Sequence, residues 1–219
     1  VHSLPTPEQD GTFDAAKTRA GRWKMIALLL VCASPVIASY LTYYVIRPVG
    51  RLNSGELNTP QRPLPARAGI DAQGRSVPLT GLKDQWLLIS VADSSCEDLC
   101  QKHLYVQRQL REGLGKDKGR IDWVWLRTGS TELRPELKAA TQAATVLHVD
   151  NTALAQWLQP AAGRQLADHL YVVDPQGHWM MRMPAGLGMA DAGKAKRDLD
   201  RLLRASASWD TAGRPGDGD

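Results

Sequence analysis

The pattern of hydrophobic and polar positions divides the chain into a long apolar segment near its start and a mixed region after it. Residues 25–46 form a run of 22 without a charged side chain. At about 1.5 Å per helical residue this run reaches about 33 Å, enough to cross the hydrocarbon core of a bilayer. A cleaved signal peptide usually has a shorter apolar region. We therefore expect a single transmembrane anchor over residues 25–46.

The charges on either side of this segment predict its orientation. Four basic residues come shortly before it and two come shortly after it, namely Lys17, Arg19, Arg22 and Lys24, then Arg47 and Arg51. Because short flanking segments rich in Lys and Arg stay in the cytoplasm, residues 1–24 are expected to be a short cytoplasmic segment. The C-terminal part is then expected in the periplasm, attached to a bacterial inner membrane by one span.

Two polar stretches enclose the region that should fold. Residues 47–68 contain four prolines and two glycines, which predicts a semi-extended linker. Residues 206–219 are rich in Gly, Asp and Ser and are expected to form a disordered tail. The remaining residues, 69–205, carry enough apolar side chains for one hydrophobic core. We expect them to be a single domain.

Short apolar runs alternate with helical patterns along this domain. The predicted strands are 85–91, 121–126, 145–149, 169–173 and 178–183. One predicted helix begins near Cys96, and three others cover 132–143, 154–158 and 190–204. A Pro-then-Gly turn joins the last two strands, which predicts an antiparallel hairpin. This order of strands and helices, with two cysteines after the first core strand, is that of an α/β, thioredoxin-like domain.

Composition and charge exclude several classes of function. The 27 basic and 23 acidic residues are interspersed and leave a formal charge of +4, so no basic face for nucleic acid is expected. The sequence has neither a phosphate-binding loop nor a dinucleotide-binding glycine pattern. It also lacks a persuasive serine, histidine and acid arrangement. We expect no hydrolase or nucleotide-dependent activity.

The chemistry is expected at the pair of cysteines that follows the first core strand. Cys96 and Cys100 are four positions apart, and such positions lie on one face of a helix. Both sulfurs can therefore bind one metal ion or join each other. A helix N-terminus favours thiolates, whereas Glu97 and Asp98 oppose them. The same two carboxylates attract a bound cation, so the local charges mildly favour a metal.

A copper site needs more than these two cysteines. Soft cuprous ion commonly takes thiolate and imidazole ligands, so a histidine should approach from elsewhere. His169 and His103 are the candidates. His169 can instead be an ordinary histidine bonded to the backbone at the start of a strand, and His103 a buried imidazole on the apolar side of the helix. The methionines at 180, 181 and 183 are interpreted as core side chains rather than ligands.

Three stretches of sequence, in this order, resemble the Sco/SenC family of copper-binding assembly proteins. They are residues 81–91, residues 96–100 (CEDLC) with Leu104 four residues on, and residues 168–177, in which Asp-His opens a strand that leads into Asp-Pro-Gln-Gly. The resemblance implies a thioredoxin-like domain on one membrane anchor. It also implies that copper is carried to the copper-bearing subunit of cytochrome c oxidase or to another assembly factor. The implied copper ligands are Cys96, Cys100 and His169.

This chain departs from the usual pattern of that family at three places. Glu97 and Gln101 stand where prolines usually follow the cysteines. Residues 125–128 (WLRT) replace the usual Ser-Val-Asp-Pro stretch after the second core strand. The resemblance therefore implies a divergent member, in which the loop that sets the copper geometry has changed.

Two other functions remain open beside the copper-binding assembly factor. A periplasmic thiol–disulfide reductase would use Cys96 and Cys100 as a redox-active pair on partner cysteines and would need no histidine ligand. A degenerate docking module would need neither cysteine. The sequence favours the copper-binding factor, which would act by ligand exchange rather than as an enzyme.

Overall fold

The computed structural model describes residues 15–46, 54–129 and 131–213, which fall into two units, Val1–Arg51 and Leu52–Asp219. In the first unit, helix α1 covers Ala15–Leu41 and continues as a π-helical turn over Thr42–Ile46. The stretch Gly21–Tyr44 is the one helix of the described chain that is long and apolar enough to cross a membrane, with a mean hydropathy of 2.1. The anchor predicted over residues 25–46 is therefore helical. The helix begins inside the predicted cytoplasmic segment, whose first 14 residues lie outside the described part.

The second unit is built on one mixed sheet of eight strands. The strands are β1 (Glu56–Pro63), β2 (Ala68–Ile70), β3 (Ser76–Pro78), β4 (Trp86–Asp93), β5 (Ile121–Thr128), β6 (Thr145–His148), β7 (Leu170–Val173) and β8 (His178–Arg182). The helices are α2 (Asp98–Gly113), α3 (Pro135–Ala140), α4 (Asn151–Trp157) and α5 (Met189–Ser206). The order of strands across the sheet is β1-β8-β7-β4-β5-β6-β2-β3.

Strand β4 lies at the centre of this sheet. It pairs in parallel with β5 and antiparallel with β7, and β5 pairs in parallel with β6. The antiparallel pairing of β7 with β8 confirms the predicted hairpin. The parallel crossover from β4 to β5 runs through α2, so the cysteines come directly after the central strand.

Both faces of the sheet are covered, which explains why the central strands read as continuous apolar runs. Along β4, Leu87 and Ile89 face one layer of the core, while Trp86 and Leu88 face the other. The first layer is closed by α4 and the second by α2 and α5. The alternation follows from the two-residue period of a strand. The α/β arrangement predicted from the sequence is thus present.

Part of the predicted linker belongs to the sheet. Residues 56–63 form β1, an edge strand paired with β8, rather than a semi-extended tether. Its two prolines are tolerated because one side of an edge strand needs no backbone donors. The amides of Ser54 and Gly55 also donate to the buried carboxylate of Asp198 in α5, at 2.6 and 3.0 Å. The linker prediction is therefore wrong for residues 54–63, for Leu64, which is buried in the core, and for Ala68, which begins β2. Residues 47–53 lie outside the described part.

Part of the predicted disordered tail is packed as well. Asp210 is 7% exposed, and its Oδ2 atom accepts hydrogen bonds from Arg120 Nη2 at 2.7 Å and from Trp86 Nε1 at 2.8 Å. A hydrogen-bonded aspartate at this position ties the chain after α5 to β4 and to the turn before β5. The tail prediction is wrong for residues 206–210, and residues 214–219 lie outside the described part.

Candidate functional site

Cys96 and Cys100 form a disulfide at the N-terminus of α2, with their Cα atoms 5.1 Å apart. The spacing correctly predicted that the two sulfurs would meet. The helix begins at Asp98, however, so Cys100 lies in its first turn and Cys96 lies in the turn before it. Cys96 has a φ of +43°, a left-handed conformation that side chains with a Cβ rarely adopt. The disulfide therefore joins the turn before the helix to the first turn of the helix, and does not join two positions within one helix.

The turn that carries Cys96 is held from both ends. Asp93 accepts hydrogen bonds from the amide of Ser95 at 2.8 Å and, through its own carbonyl, from the amide of Cys96 at 3.0 Å. The hydroxyl of Ser94 donates to the carbonyl of Thr128 at the end of β5, at 2.9 Å. This network fixes the turn between the two central parallel strands.

The loop between β5 and α3 lies against the same turn. Leu133 and Leu137 share an apolar cluster with the two cysteines, which are 1% exposed at Cys96 and 8% exposed at Cys100. The carbonyl of Cys96 accepts a hydrogen bond from Arg134 Nη2 at 3.0 Å and another from Gln101 Nε2 at 3.2 Å. The disulfide is thus nearly buried and is bordered by one guanidinium group.

His169, the predicted third copper ligand, is 2% exposed and is bonded to the backbone through both ring nitrogens. Its Nε2 atom accepts from the amide of Ala161 at 3.2 Å, so its proton lies on Nδ1, which donates to the carbonyl of Met183 at 2.9 Å. Burial lowers the pKa of His169 below its ordinary value. This is the backbone-bonded histidine that the sequence left as the alternative.

His103 lies on α2 one turn beyond Cys100, and it is 1% exposed. Its Nε2 atom is buried without a hydrogen-bond partner. Burial lowers the pKa of His103 to about 4, an effect that the nearby Asp168 opposes and that His169 adds to. The imidazole is therefore neutral at pH 7, and its Nε2 atom is not engaged by any hydrogen bond.

The predicted copper ligands are not assembled into one metal centre in this oxidised form. Within residues 15–46, 54–129 and 131–213, no group of three or more His, Cys, Asp or Glu side chains is placed to hold a metal ion. The structure brings Cys96 and Cys100 together, but as a disulfide, whose sulfurs carry no thiolate charge. The nitrogens of His169 are bonded elsewhere. Cuprous ion fits this site only after the disulfide is reduced.

The sequence missed the two side chains that hold the Cys96 carbonyl. Gln101 departs from the pattern of the family that the sequence resembles, and this departure is the sequence signal for its role. Arg134 carries no such signal, because it lies 38 positions from Cys96 and contacts it only through the folding of the loop between β5 and α3. The interpretation of the methionines is confirmed for Met181 and Met183, which are buried in the core layer beneath α2 and α5.

Comparisons with known proteins support this fold. No curated protein matches the chain. Among solved structures, apo Sco1 from Thermus thermophilus is similar with a TM-score of 0.54 and 20% identity, over 69% of this chain and 97% of that chain. A DsbF homologue from Corynebacterium diphtheriae gives 0.50 and 15%, over 72% and 95%. BsSco, a member of the Sco family of cytochrome c oxidase assembly proteins with an identified disulfide switch, gives 0.50 and 12%, over 70% and 99%.

These structural likenesses show a thioredoxin-like fold, shared by Sco proteins and by a DsbF homologue. The family model described as "transmembrane-like, thioredoxin-like, C-terminal domain" matches residues 86–206, from the first residue of β4 to the last residue of α5. This match covers more than half of the 219 residues. The stretch Gly21–Tyr44, which is long and apolar enough to cross a membrane, agrees with the word "transmembrane-like" in that description. The chain therefore belongs to the transmembrane-like, thioredoxin-like C-terminal domain family.

Proposed function

We propose that this chain is a membrane-anchored thiol–disulfide protein whose Cys96–Cys100 pair alternates between a disulfide and two thiols. The observation that carries the proposal is the disulfide itself, placed at the N-terminus of α2 directly after the central strand. A helix N-terminus stabilises a thiolate, which is the form that attacks a partner disulfide. BsSco, whose fold is similar, has an identified disulfide switch.

The exchange is reversible and involves two electrons. In the dithiol form, one cysteine thiolate attacks a partner disulfide and forms a mixed disulfide, and the other cysteine then displaces the partner. The partner leaves with two thiols, and the Cys96–Cys100 bond forms again. Of the two cysteines, Cys100 is the more exposed. Leu133 and Leu137 pack against this pair, so a protein partner meets apolar side chains beside the sulfurs.

The test compares reduction of the folded chain with reduction of the unfolded chain. The oxidised full chain, carrying Cys32→Ser to remove the free thiol, is treated with a dithiol and then alkylated and weighed. We expect two alkyl groups per chain within minutes under native conditions. Reduction that occurs only in concentrated urea would show a structural disulfide and would contradict the proposal.

Copper binding by the dithiol form is the second proposed function. It is favoured by the neutral, buried imidazole of His103, whose Nε2 atom has no hydrogen-bond partner and which lies one turn beyond Cys100. Two thiolates and one imidazole suit cuprous ion. His169, the ligand that the Sco/SenC resemblance implies, can serve only if its Nε2 atom leaves the amide of Ala161.

In this second proposal copper is cargo, passed to the copper-bearing subunit of cytochrome c oxidase or to another assembly factor. The fold shared with BsSco, of the Sco family of cytochrome c oxidase assembly proteins, supports that assignment. The basic residues before the anchor support a periplasmic domain on an inner membrane. A glycosylation or phosphatase reporter fused after residue 219 tests this side of the membrane.

The reduced full chain, titrated without oxygen with cuprous ion against a chelator, tests the copper proposal. We expect one tight equivalent, lost in Cys96→Ala and Cys100→Ala and weakened in His103→Ala or His169→Ala. His178→Ala, at a partly exposed histidine, is the matched control. Binding that is indifferent to both cysteine variants would contradict copper binding at this pair.

A further inference from the structure

The carbonyl of Cys96 is held by two side chains that come from different parts of the chain. Gln101 Nε2 donates from the first turn of α2 at 3.2 Å, and Arg134 Nη2 donates from the residue before α3 at 3.0 Å. The same Arg134 nitrogen also donates to the carbonyl of Ser95 at 3.1 Å. We call Gln101 and Arg134 the carbonyl clamp.

The clamp acts on a residue whose backbone is strained. Cys96 has a φ of +43°, where the Cβ atom crowds the following carbonyl group. Such a conformation persists only when surrounding contacts hold it in place. Hydrogen bonds to the Cys96 carbonyl, one of them from a charged donor, supply such contacts. The disulfide to Cys100 supplies another, and it disappears on reduction.

Gln101, the clamp residue on α2, is one of the positions at which this chain departs from the family that it resembles. Gln101 occupies a position at which the Sco/SenC pattern usually has a proline. A proline restricts its own φ and that of the residue before it, but it offers no donor. The amide of Gln101 instead reaches back to Cys96. Gln101 therefore restrains Cys96 through a hydrogen bond that a proline cannot make.

We propose that Gln101 and Arg134 are positioning residues that keep Cys96 beside Cys100 after reduction, and so set how strongly the disulfide is favoured over the dithiol. This inference rests on the proposed thiol–disulfide function. With the clamp in place, the reduced turn keeps its left-handed conformation and the two thiols stay close. Without it, the turn relaxes and the dithiol gains conformational freedom. The equilibrium then moves toward the dithiol.

Arg134 adds a charge effect of the opposite sign. A guanidinium group near the pair stabilises a thiolate and so favours the dithiol. Arg134 is exposed, so solvent screens this effect. Gln101 is uncharged, and its replacement tests the clamp without changing any charge. The two residues therefore need different controls.

The experiment measures the equilibrium constant for reduction by glutathione, in which two glutathione thiols are oxidised to one glutathione disulfide for each Cys96–Cys100 bond broken. The full chain with Cys32→Ser is used in detergent, and the reduced fraction is read by alkylation and mass spectrometry. Gln101→Ala is compared with Gln109→Ala, two turns further along α2. Arg134→Met is compared with Lys138→Met, which removes a positive charge from α3 itself.

We expect Gln101→Ala and Arg134→Met each to raise this equilibrium constant about three- to ten-fold over its control, because the reduced turn of each variant releases part of the backbone strain at Cys96 that the oxidised turn keeps. The melting temperatures of the oxidised variants identify any that fail to fold. If glutathione reduces the parent chain but either variant has the same equilibrium constant as its control, the role of the clamp is refuted and the proposed thiol–disulfide function is not. A parent chain that glutathione does not reduce at any ratio would overturn the proposed function and the inference with it.

Discussion

Replacing His169 by alanine should destabilise the fold in the complete absence of metal. The side chain is 2% exposed, and its removal leaves the carbonyl of Met183 and the amide of Ala161 without their partner. A buried polar group left unsatisfied costs about 1–3 kcal/mol. The contact with Met183 is fully buried and the one with Ala161 is partly buried, so water recovers part of the second loss. We expect a total loss of about 2–4 kcal/mol in the free energy of unfolding.

The assay is urea-induced unfolding of the oxidised full chain, followed by tryptophan fluorescence with a chelator present. His178→Ala is the matched control, because its side chain is 36% exposed and lies 3.5 Å from the carboxylate of Asp174. We expect that control to lose less than about 1 kcal/mol. If His169→Ala were no less stable than His178→Ala, the backbone bonds of His169 would carry little energy. The ring would then be free to serve as a ligand, and our reasoning would be refuted.

Three further predictions concern stability, each measured by urea unfolding. The pKa of His103 is about 4 in the folded chain against 6.5 when exposed, so the unfolded state gains a proton first as the pH falls. The contribution of His103 to stability should fall by up to about 3 kcal/mol between pH 6.5 and pH 4. His103→Gln should remove that part of the acid destabilisation and leave the part due to His169, whose pKa is also lowered by burial. Asp210→Asn removes the buried carboxylate from Arg120, which keeps only its part-buried contact with Asp117, and should cost about 2–3 kcal/mol. Equal stability would show that the ion pair with Asp210 contributes nothing. Gly129→Ala places a Cβ against the carboxylate of Asp93 at a φ of +76° and should cost about 2 kcal/mol, so an unchanged midpoint would count against the turn network.

The central elements of the fold could be predicted because their side chains carry the signal. Strands β4 and β5 are buried on both faces and therefore read as apolar runs. Strand β1 is different, since its sequence ELNTPQRP is mostly polar and contains two prolines. It joins the sheet at an edge, where pairing with β8 depends on backbone groups rather than on apolar side chains. The hydrophobic pattern of the sequence therefore does not predict strand β1.

The candidate site was predictable only in part for the same kind of reason. The spacing of Cys96 and Cys100 predicted that their sulfurs meet, which is a local property. A positive φ at a cysteine has no sequence signature, and the contact from Arg134 spans 38 positions. The role of His169 depends on two backbone groups that tertiary packing brings to its ring. Such contacts depend on the tertiary fold and cannot be predicted from the pattern of a single sequence.

The reduction potential of the Cys96–Cys100 pair tests the central claim most directly. The full chain with Cys32→Ser is equilibrated with dithiol buffers of known potential, and the oxidised fraction is read by alkylation. Structural disulfides lie below about −300 mV, whereas exchangeable pairs lie above it. We predict one two-electron transition above that value. A pair that stays oxidised down to about −300 mV in the folded chain would be a structural disulfide, and the proposed function would be wrong.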